Sequence, residues 1–502
     1  MSDENDLDNT DNLDNIDNLN DFSEQSRIRR EKLSELVESG NSPYLITKFD
    51  VDSNSKQILD NFDEYEGKDI KIAGRMMSRR DMGKANFINI ADFSGNIQVY
   101  VKIDDIGGEK FNQFKKWDIG DILGVSGKVF KTKRGEITVH AYAIDLLSKS
   151  LVPLPEKWHG LKDVDIRYRQ RYLDLIVNSE LKDLFVKKQL FWNTVRNFLS
   201  EKGFLEVETP VLEVTSGGAA AAPFKTHHNA LDIDVFLRIS KGELWQKKLL
   251  VAGFDKTFEI GRQFRNEGMS SEHLQDYTQM EFYWAYADCK DGMQLIKELY
   301  RKVTRAVTGG SKFISRGFEI DMDKEWVIYD FENIIKNNLN INIYDATIEQ
   351  IKDKLNTLNV AYDPKLNFWR LVDVLWKVVR KDLAGPGFLV GQPVQLNPLP
   401  KRLKDDPRKA DQIQVIIAGS EMGNGYAELN DPLDLEQRFR EQRIMKEAGD
   451  EEAHSHDQDF IDALNYGMPP AFGFGASERL FSFMMDKPVR ECVLFPLMKS
   501  KE

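Results

Sequence analysis

Residues 258–288 read FEIGRQFRNEGMSSEHLQDYTQMEFYWAYAD, two runs of strand-type alternation joined by a polar loop. In the first, Phe258, Ile260 and Phe264 alternate with Glu259, Gly261, Gln263, Arg265 and Glu267; in the second, Met280, Phe282 and Trp284 alternate with Tyr277, Gln279, Glu281 and Tyr283. Neighbouring side chains on a strand point to opposite faces, so one face of this hairpin belongs to a core. The other gathers arginine, carboxylates and tyrosines, and the question it raises is whether that face meets water or builds a site.

Two further stretches share this character. In EMGNGYAELND (421–431), Glu421, Gly423, Gly425, Ala427 and Leu429 alternate with Met422, Asn424, Tyr426 and Glu428, a strand too polar to be buried on both faces. In FGFGASERLFSF (472–483), Gly473 and Gly475 allow close backbone approach just before Arg479, which opens an amphipathic helix. Each signal is weak alone, and their weight lies in occurring together.

At 502 residues the chain is too long for one ordinary core, and 41% hydrophobic with 30% charged residues is the composition of a water-soluble globular protein. No apolar run reaches a membrane-spanning length and the N-terminus lacks a signal-peptide pattern, so no membrane association and a cytoplasmic location are expected. Cys289 and Cys492 have no CxxC partner, which argues against a disulfide framework and a thiolate zinc site. HSHD (454–457) sits in an acidic stretch and reads as solvated rather than metal-binding.

The net charge of −13 is unevenly distributed. Residues 1–25 contain no Lys or Arg and read as a disordered acidic tail. Basic residues cluster at RIRREK (27–32), RMMSRR (75–80), KVFKTKR (128–134) and RYRQR (167–171), so a nucleic-acid surface is compatible with the acidic total. A short helix is expected over 26–40 within an N-terminal helical segment, 26–66. Residues 67–150 break into short strands punctuated by DFSG and KTKRG, the pattern of a small closed barrel of the OB type. Phe87 and Gln98, with Arg79, Arg80 and Glu136 nearby, suit recognition of unstacked bases. A linker, 151–179, precedes a larger α+β unit, 180–502, which opens with a helix over 180–204.

TPVL, FRNE and GFGASERL, in this order, resemble the three signature motifs of the class II aminoacyl-tRNA synthetases. The supporting stretches AGRMMSRRDMGKANF, LPEKWHGLKDVDIRYRQRYLDLI, GFLEVETPVL, GGAAAAPFKTHHNALDIDVFLRI, EFYWAYAD and ALNYGMPP are similar to lysyl-tRNA synthetases over roughly residues 26–502. The resemblance implies an N-terminal OB-fold domain that binds the anticodon, followed by a catalytic domain built on an antiparallel sheet flanked by helices. It implies a homodimer in which GFLEVETPVL helps form the interface, with ATP, L-lysine and tRNA(Lys) as substrates and Mg2+ as cofactor.

The same resemblance assigns roles. Arg265 and Arg479 are the catalytic arginines; Arg265, Glu267, His273, Tyr277, Glu421 and Arg479 bind ATP; Gly218, Glu243, Glu281, Tyr283, Asn424, Tyr426 and Glu428 bind lysine; Phe87, Gln98 and Glu136 read the anticodon. Glu421 is the implied Mg2+ ligand, whereas Gln414 stands where the family carries a second carboxylate. A pocket rich in carboxylates suits a substrate with two ammonium groups, and would reject aspartate or asparagine. The loop EHLQDYT (272–278) departs most from the family pattern, and LRISKGELWQKK (237–248) carries one inserted residue.

Overall fold

A computed structural model describes residues 23–155, 163–215, 217, 221–240, 242–268, 270–447 and 457–499, and it divides after Lys182 into two compact units. Residues 1–22 of the expected tail, and the two histidines of HSHD, lie outside the described residues. Among those described, no helix is long and apolar enough to cross a membrane.

In the first unit the expected helix spans Glu24–Glu38, capped by Ser23, whose hydroxyl accepts from the Ser26 amide. Five strands, β1 (Asp69–Asp81), β2 (Ala85–Ala91), β3 (Asn96–Lys102), β4 (Ile122–Lys131) and β5 (Ile137–Ser148), close a barrel in the order β1-β2-β3-β5-β4. Alternation fills its interior with Ile72, Ile88, Val99, Val125 and Val139, all essentially buried.

Much of the basic clustering seen in the sequence is internal bonding. Arg79 Nη1 donates to the carbonyls of Lys115 and Trp117, and Nη2 to that of Phe114, closing the end of the Gly108–Lys116 helix. Arg79 is thus a structural residue rather than a base reader. Arg29 donates to the Ser150 carbonyl at 3.0 Å, and Arg167 and Arg171 both pair with the buried Asp174. The expected linker is partly folded, with helices over Val164–Arg169 and Arg171–Val177.

The second unit opens with the helix Leu181–Glu201 and contains the site-bearing sheet. Its strands in chain order are β6 (Leu205–Glu206), β7 (Leu212–Glu213), β8 (Lys225–His228), β9 (Ile233–Leu237), β10 (Lys256–Phe264), β11 (Asp276–Ala285), β12 (Lys312–Ser315), β13 (Phe318–Asp321), β14 (Val327–Asp330), β15 (Gly387–Val390), β16 (Gln412–Ile417), β17 (Ser420–Ala427) and β18 (Ala471–Ser477). An eight-stranded sheet runs β14-β15-β16-β17-β18-β11-β10-β6. The sheet is antiparallel from β15 to β10 but parallel at both ends, where β14 joins β15 and β6 joins β10, so it is mixed rather than wholly antiparallel.

The opening hairpin is β10 and β11, with Phe258 opposite Phe282 and Ile260 opposite Met280. This apolar face packs with Phe472 and Phe474 of β18 against Leu295, Ile296 and Leu299 of the helix Cys289–Thr308. Strand β10 ends at Phe264, so Arg265 and Glu267 leave the strand and stand in the connecting loop. On the polar face Glu259 is an anchor: Arg238 Nη1 lies 2.6 Å from one oxygen and Thr209 Oγ1 donates to the other at 2.6 Å. Cys289 and Cys492 are both buried free thiols.

Candidate active site

The polar faces of β16, β17, β18 and β11 line a cavity of about 570 Å³. Register aligns its rows across the sheet. Gln412 pairs with Tyr426, Tyr426 with Gly473 and Gly473 with Tyr283; one row along, Gln414, Asn424, Gly475 and Glu281 stand side by side. The glycines of the GFGAS run keep the middle of each row open. A Cβ at Gly473 would lie 2.1 Å from Glu428 Oε1 and 2.7 Å from the Tyr283 ring, so glycine here makes room for the cavity's own side chains.

One end of the cavity is anionic. Glu243, Glu281 and Glu428 are nearly fully buried and line it together with Tyr283, Asn424 and Tyr426. Tyr426 donates its hydroxyl to Glu243, Tyr283 donates to Glu281 Oε2 at 3.2 Å, Gln279 Nε2 donates to Glu281 Oε1 at 2.6 Å, and Gln412 Nε2 donates to Asn424 Oδ1 at 2.7 Å. Glu243 opens the helix Glu243–Val251 behind Gly242, which adopts φ +62 and whose Cβ would collide with Thr209 Oγ1. Gly242 thus stands in a left-handed turn that only glycine fits comfortably.

The same helix supplies a cation that the sequence reading missed. Lys247 is buried, its ammonium 2.8 Å from Glu243 and 2.6 Å from Glu428, and it lies 5.4 Å from the centre of the Tyr426 ring. The i,i+4 spacing of Glu243 and Lys247 was the available signal. Burial pushes the Glu428 carboxyl above the ordinary range, with Lys247 opposing and Glu243 adding to the rise. Glu213 on β7 is pushed up to about 7, first by burial, while the indole of Trp245 donating at 3.2 Å and Arg238 pull it back. Carboxylates outnumber the internal cation, so this end has unspent negative charge for a cationic ligand.

The other end is cationic. Arg265 is held by Nε donation to the Ile239 carbonyl at 3.3 Å and sits 5.9 Å from the centre of the Tyr277 ring. The Tyr277 hydroxyl is engaged by the Gln263 amide, while Glu267 and His273 stand at the same end. Loss of hydration, then the charge of Arg479, push the His273 imidazole down to about 4 against the pull of Glu272. Such a histidine is neutral at pH 7 and offers a hydrogen bond rather than a charge. Arg479 starts the Arg479–Met484 helix as expected, donates Nη1 to the Glu421 carbonyl at 3.2 Å, and keeps a buried Nε without a partner among the described residues.

Simple alternation along 421–429 sets Glu421 on the face opposite Asn424 and Glu428. The structure corrects this with a bulge: Val415 pairs with Gly423 but Ile416 pairs with Glu421, leaving Met422 as the extra residue. The bulge turns Glu421 into the cavity, where its Oε1 accepts from Trp376 Nε1 at 3.1 Å and lies 3.0 Å from Arg380 Nη1. Gln414 also lines the cavity, and its buried Oε1 has no partner among the described residues. No group of three or more His, Cys, Asp or Glu arranged to hold a metal occurs among them. This donor set fits a hard cation held chiefly by ligand oxygens with Glu421 as its protein carboxylate, as Mg2+ is commonly held beside phosphates.

Among the residues expected at the site, Gly218 lies outside the described residues, and the others named for the second unit line this one cavity. Phe87, Gln98 and Glu136 belong to the barrel. Phe87 pairs with Tyr100 and Gln98 with Thr138, and the alternation of β2, β3 and β5 turns them to one outer face, where the Tyr100 ring stands 4.9 Å from Phe87 and 5.2 Å from His140. Glu136 is exposed at the turn before β5.

Residues 163–499 match the family model described as tRNA synthetases class II (D, K and N), and residues 70–147 match the OB-fold nucleic acid binding domain. Among curated proteins, the lysine–tRNA ligase of Pelotomaculum thermopropionicum is 47% identical over 95% of both chains. The lysine–tRNA ligase of Thermoanaerobacter pseudethanolicus is 45% identical over 95% of this chain and 96% of its own, and that of Clostridium acetobutylicum is 44% identical over 94% and 93%. A cavity with an anionic end and a cationic end, on a sheet that comes after an OB barrel in the chain, agrees with these likenesses, and the chain belongs to the lysine–tRNA ligase family of class II tRNA synthetases.

Proposed function

We propose that the chain activates L-lysine with ATP and transfers it to the 3′ end of tRNA(Lys). The observation that carries this reading is the buried triad of Glu243, Glu281 and Glu428 at one end of a cavity whose other end holds Arg265 and Arg479.

In the first step an oxygen of the lysine carboxylate forms a bond to the α-phosphorus of ATP, and the bond from that phosphorus to the bridging oxygen breaks, releasing pyrophosphate. No protein nucleophile is needed; the work is alignment and charge neutralisation. Arg265, at the cationic end, holds the lysine carboxylate and the α-phosphate with its planar fork. Glu281, Tyr283, Asn424, Tyr426 and Glu428 receive the side-chain ammonium and Glu243 the α-ammonium, with Gly218 a further lysine-binding residue. Arg479 covers the adenine and triphosphate, Tyr277 the opposite face of the base, and Glu267 and His273 bond to the nucleotide. Mg2+ held by Glu421 would supply further neutralisation of the phosphates. In the second step a ribose hydroxyl at the tRNA 3′ end attacks the lysyl carbonyl and AMP leaves.

The barrel face with Phe87, Gln98 and Glu136 takes the anticodon, Phe87 by stacking. The enzyme works in the cytoplasm as a homodimer; Leu205, Val211, Leu212 and Val214, which are exposed around the GFLEVETPVL segment, supply apolar surface for the partner. ATP–pyrophosphate exchange with each amino acid in turn tests the reading: exchange with lysine and not with aspartate or asparagine is expected, and stimulation by either of those in place of lysine overturns it.

A further inference from the structure

The helix Phe368–Val379 borders the cationic end of the cavity and turns Arg370, Asp373, Trp376 and Lys377 to it, with Arg380 just beyond its last residue. These spacings of three and four place the residues along one helix face. Nothing in the sequence motifs drew attention to this face. Its last two contributions, Trp376 Nε1 and Arg380 Nη1, converge on one atom, Glu421 Oε1.

Three observations meet there. The Glu421 charge is already matched by a guanidinium at 3.0 Å, and Gln414, which lines the same cavity, offers a neutral amide oxygen, so the two attract a second divalent cation poorly. Arg380 Nε is buried and has no acceptor among the described residues, a donor that a phosphate oxygen would satisfy. Lastly, Arg265, Arg370, Lys377, Arg380 and Arg479 outnumber Glu267, Asp373 and Glu421 by two positive charges at this end. ATP carrying one Mg2+ keeps about two negative charges, so one ion suffices for balance.

We propose that Arg380 takes the place of a divalent cation at the triphosphate: it pairs with Glu421 and presents Nε and its remaining N–H groups to the terminal phosphates, so that ATP is bound with a single Mg2+. The proposal rests on the reading of this cavity as the ATP site. Arg380 is then a substrate-binding residue whose fixed charge a free ion would otherwise supply, and Gln414 is its complement, since a carboxylate there would restore the demand for metal.

The test counts ions directly. Mn2+ bound to the full chain in the presence of lysine and a non-hydrolysable ATP analogue is measured by electron paramagnetic resonance, for the wild type, Arg380→Ala, Arg380→Lys and Gln414→Glu. About one tightly held Mn2+ per cavity is expected in the wild type and a further one in Arg380→Ala. Arg380→Ala should weaken the analogue about tenfold at low Mg2+ and recover as Mg2+ rises, while Arg380→Lys stays near the wild-type ion count. Gln414→Glu should raise the ion count with Arg380 still present. Unchanged lysine binding and thermal melting establish that the variants are folded. Two or more tightly held ions in the wild type, or an ion count and Mg2+ response unmoved by Arg380→Ala, would overturn the proposal. Lysine-dependent pyrophosphate exchange by the wild type separates that outcome from failure of the functional reading, which would abolish exchange at every Mg2+ concentration.

Discussion

Lys247 shows how much depends on a single buried charge. Its ammonium lies between Glu243 and Glu428, so the pocket is held together by an internal cation. Lys247→Met leaves two buried carboxylates without that partner and should cost about 3–5 kcal/mol in urea unfolding, with part of the loss recovered when Glu428→Gln is added. Glu213 gives the residue-scale pH dependence. Its folded value of about 7 lies above the ordinary 4.5, so its contribution to stability is complete below about pH 4.5 and is lost as pH rises through 7. Glu213→Gln should therefore melt like the wild type in acid and higher than it above neutrality, a divergence that calorimetry across pH reads directly. Charged residue types at Glu243, Glu281 and Glu428 were legible from the sequence because family motifs surround them. Lys247 was not, since nothing in a helix's own periodicity says that its lysine is folded inward onto a strand's carboxylate.

At the scale of elements, the site is a product of register. The alternation of β10 and β11 was readable in the hairpin, and the structure pairs the two apolar sets as that alternation requires. The aim of Glu421 was not readable, because a bulge is decided by how β17 meets β16, and one unpaired residue, Met422, reverses the face of what precedes it. The role of Gly473 likewise follows from three strands lying side by side. Gly473→Ala would drive a methyl group into Glu428 and Tyr283, and is expected to raise KM for lysine at least tenfold in pyrophosphate exchange while leaving KM for ATP nearly unchanged. Equal effects on both substrates would mean that the carboxylate end does not hold lysine. The Phe368–Val379 helix was invisible as a site element for a simpler reason: its amphipathic pattern reports a buried face, with Leu371, Leu375 and Val379 in the core, and says nothing of what the polar face meets.

For the whole molecule, composition pointed to several folded units and the strand pattern to a barrel, and the structure bears out the barrel and the α+β unit after it. Net charge was a poor guide, because Arg79, Arg167 and Arg171 are spent on internal bonds and residues 1–25 add acidic side chains with no Lys or Arg among them. If the units divide the labour, Phe87→Ala should leave lysine-dependent pyrophosphate exchange intact and lower charging efficiency by about 1–3 kcal/mol, the contribution of one stacked base. Charging of tRNA(Lys) by the full chain, with each amino acid offered separately alongside ATP and Mg2+, addresses the central claim most directly. Lysine should become esterified to the tRNA and aspartate and asparagine should not; esterification of either of those, or release of AMP without any aminoacyl-tRNA, would contradict it.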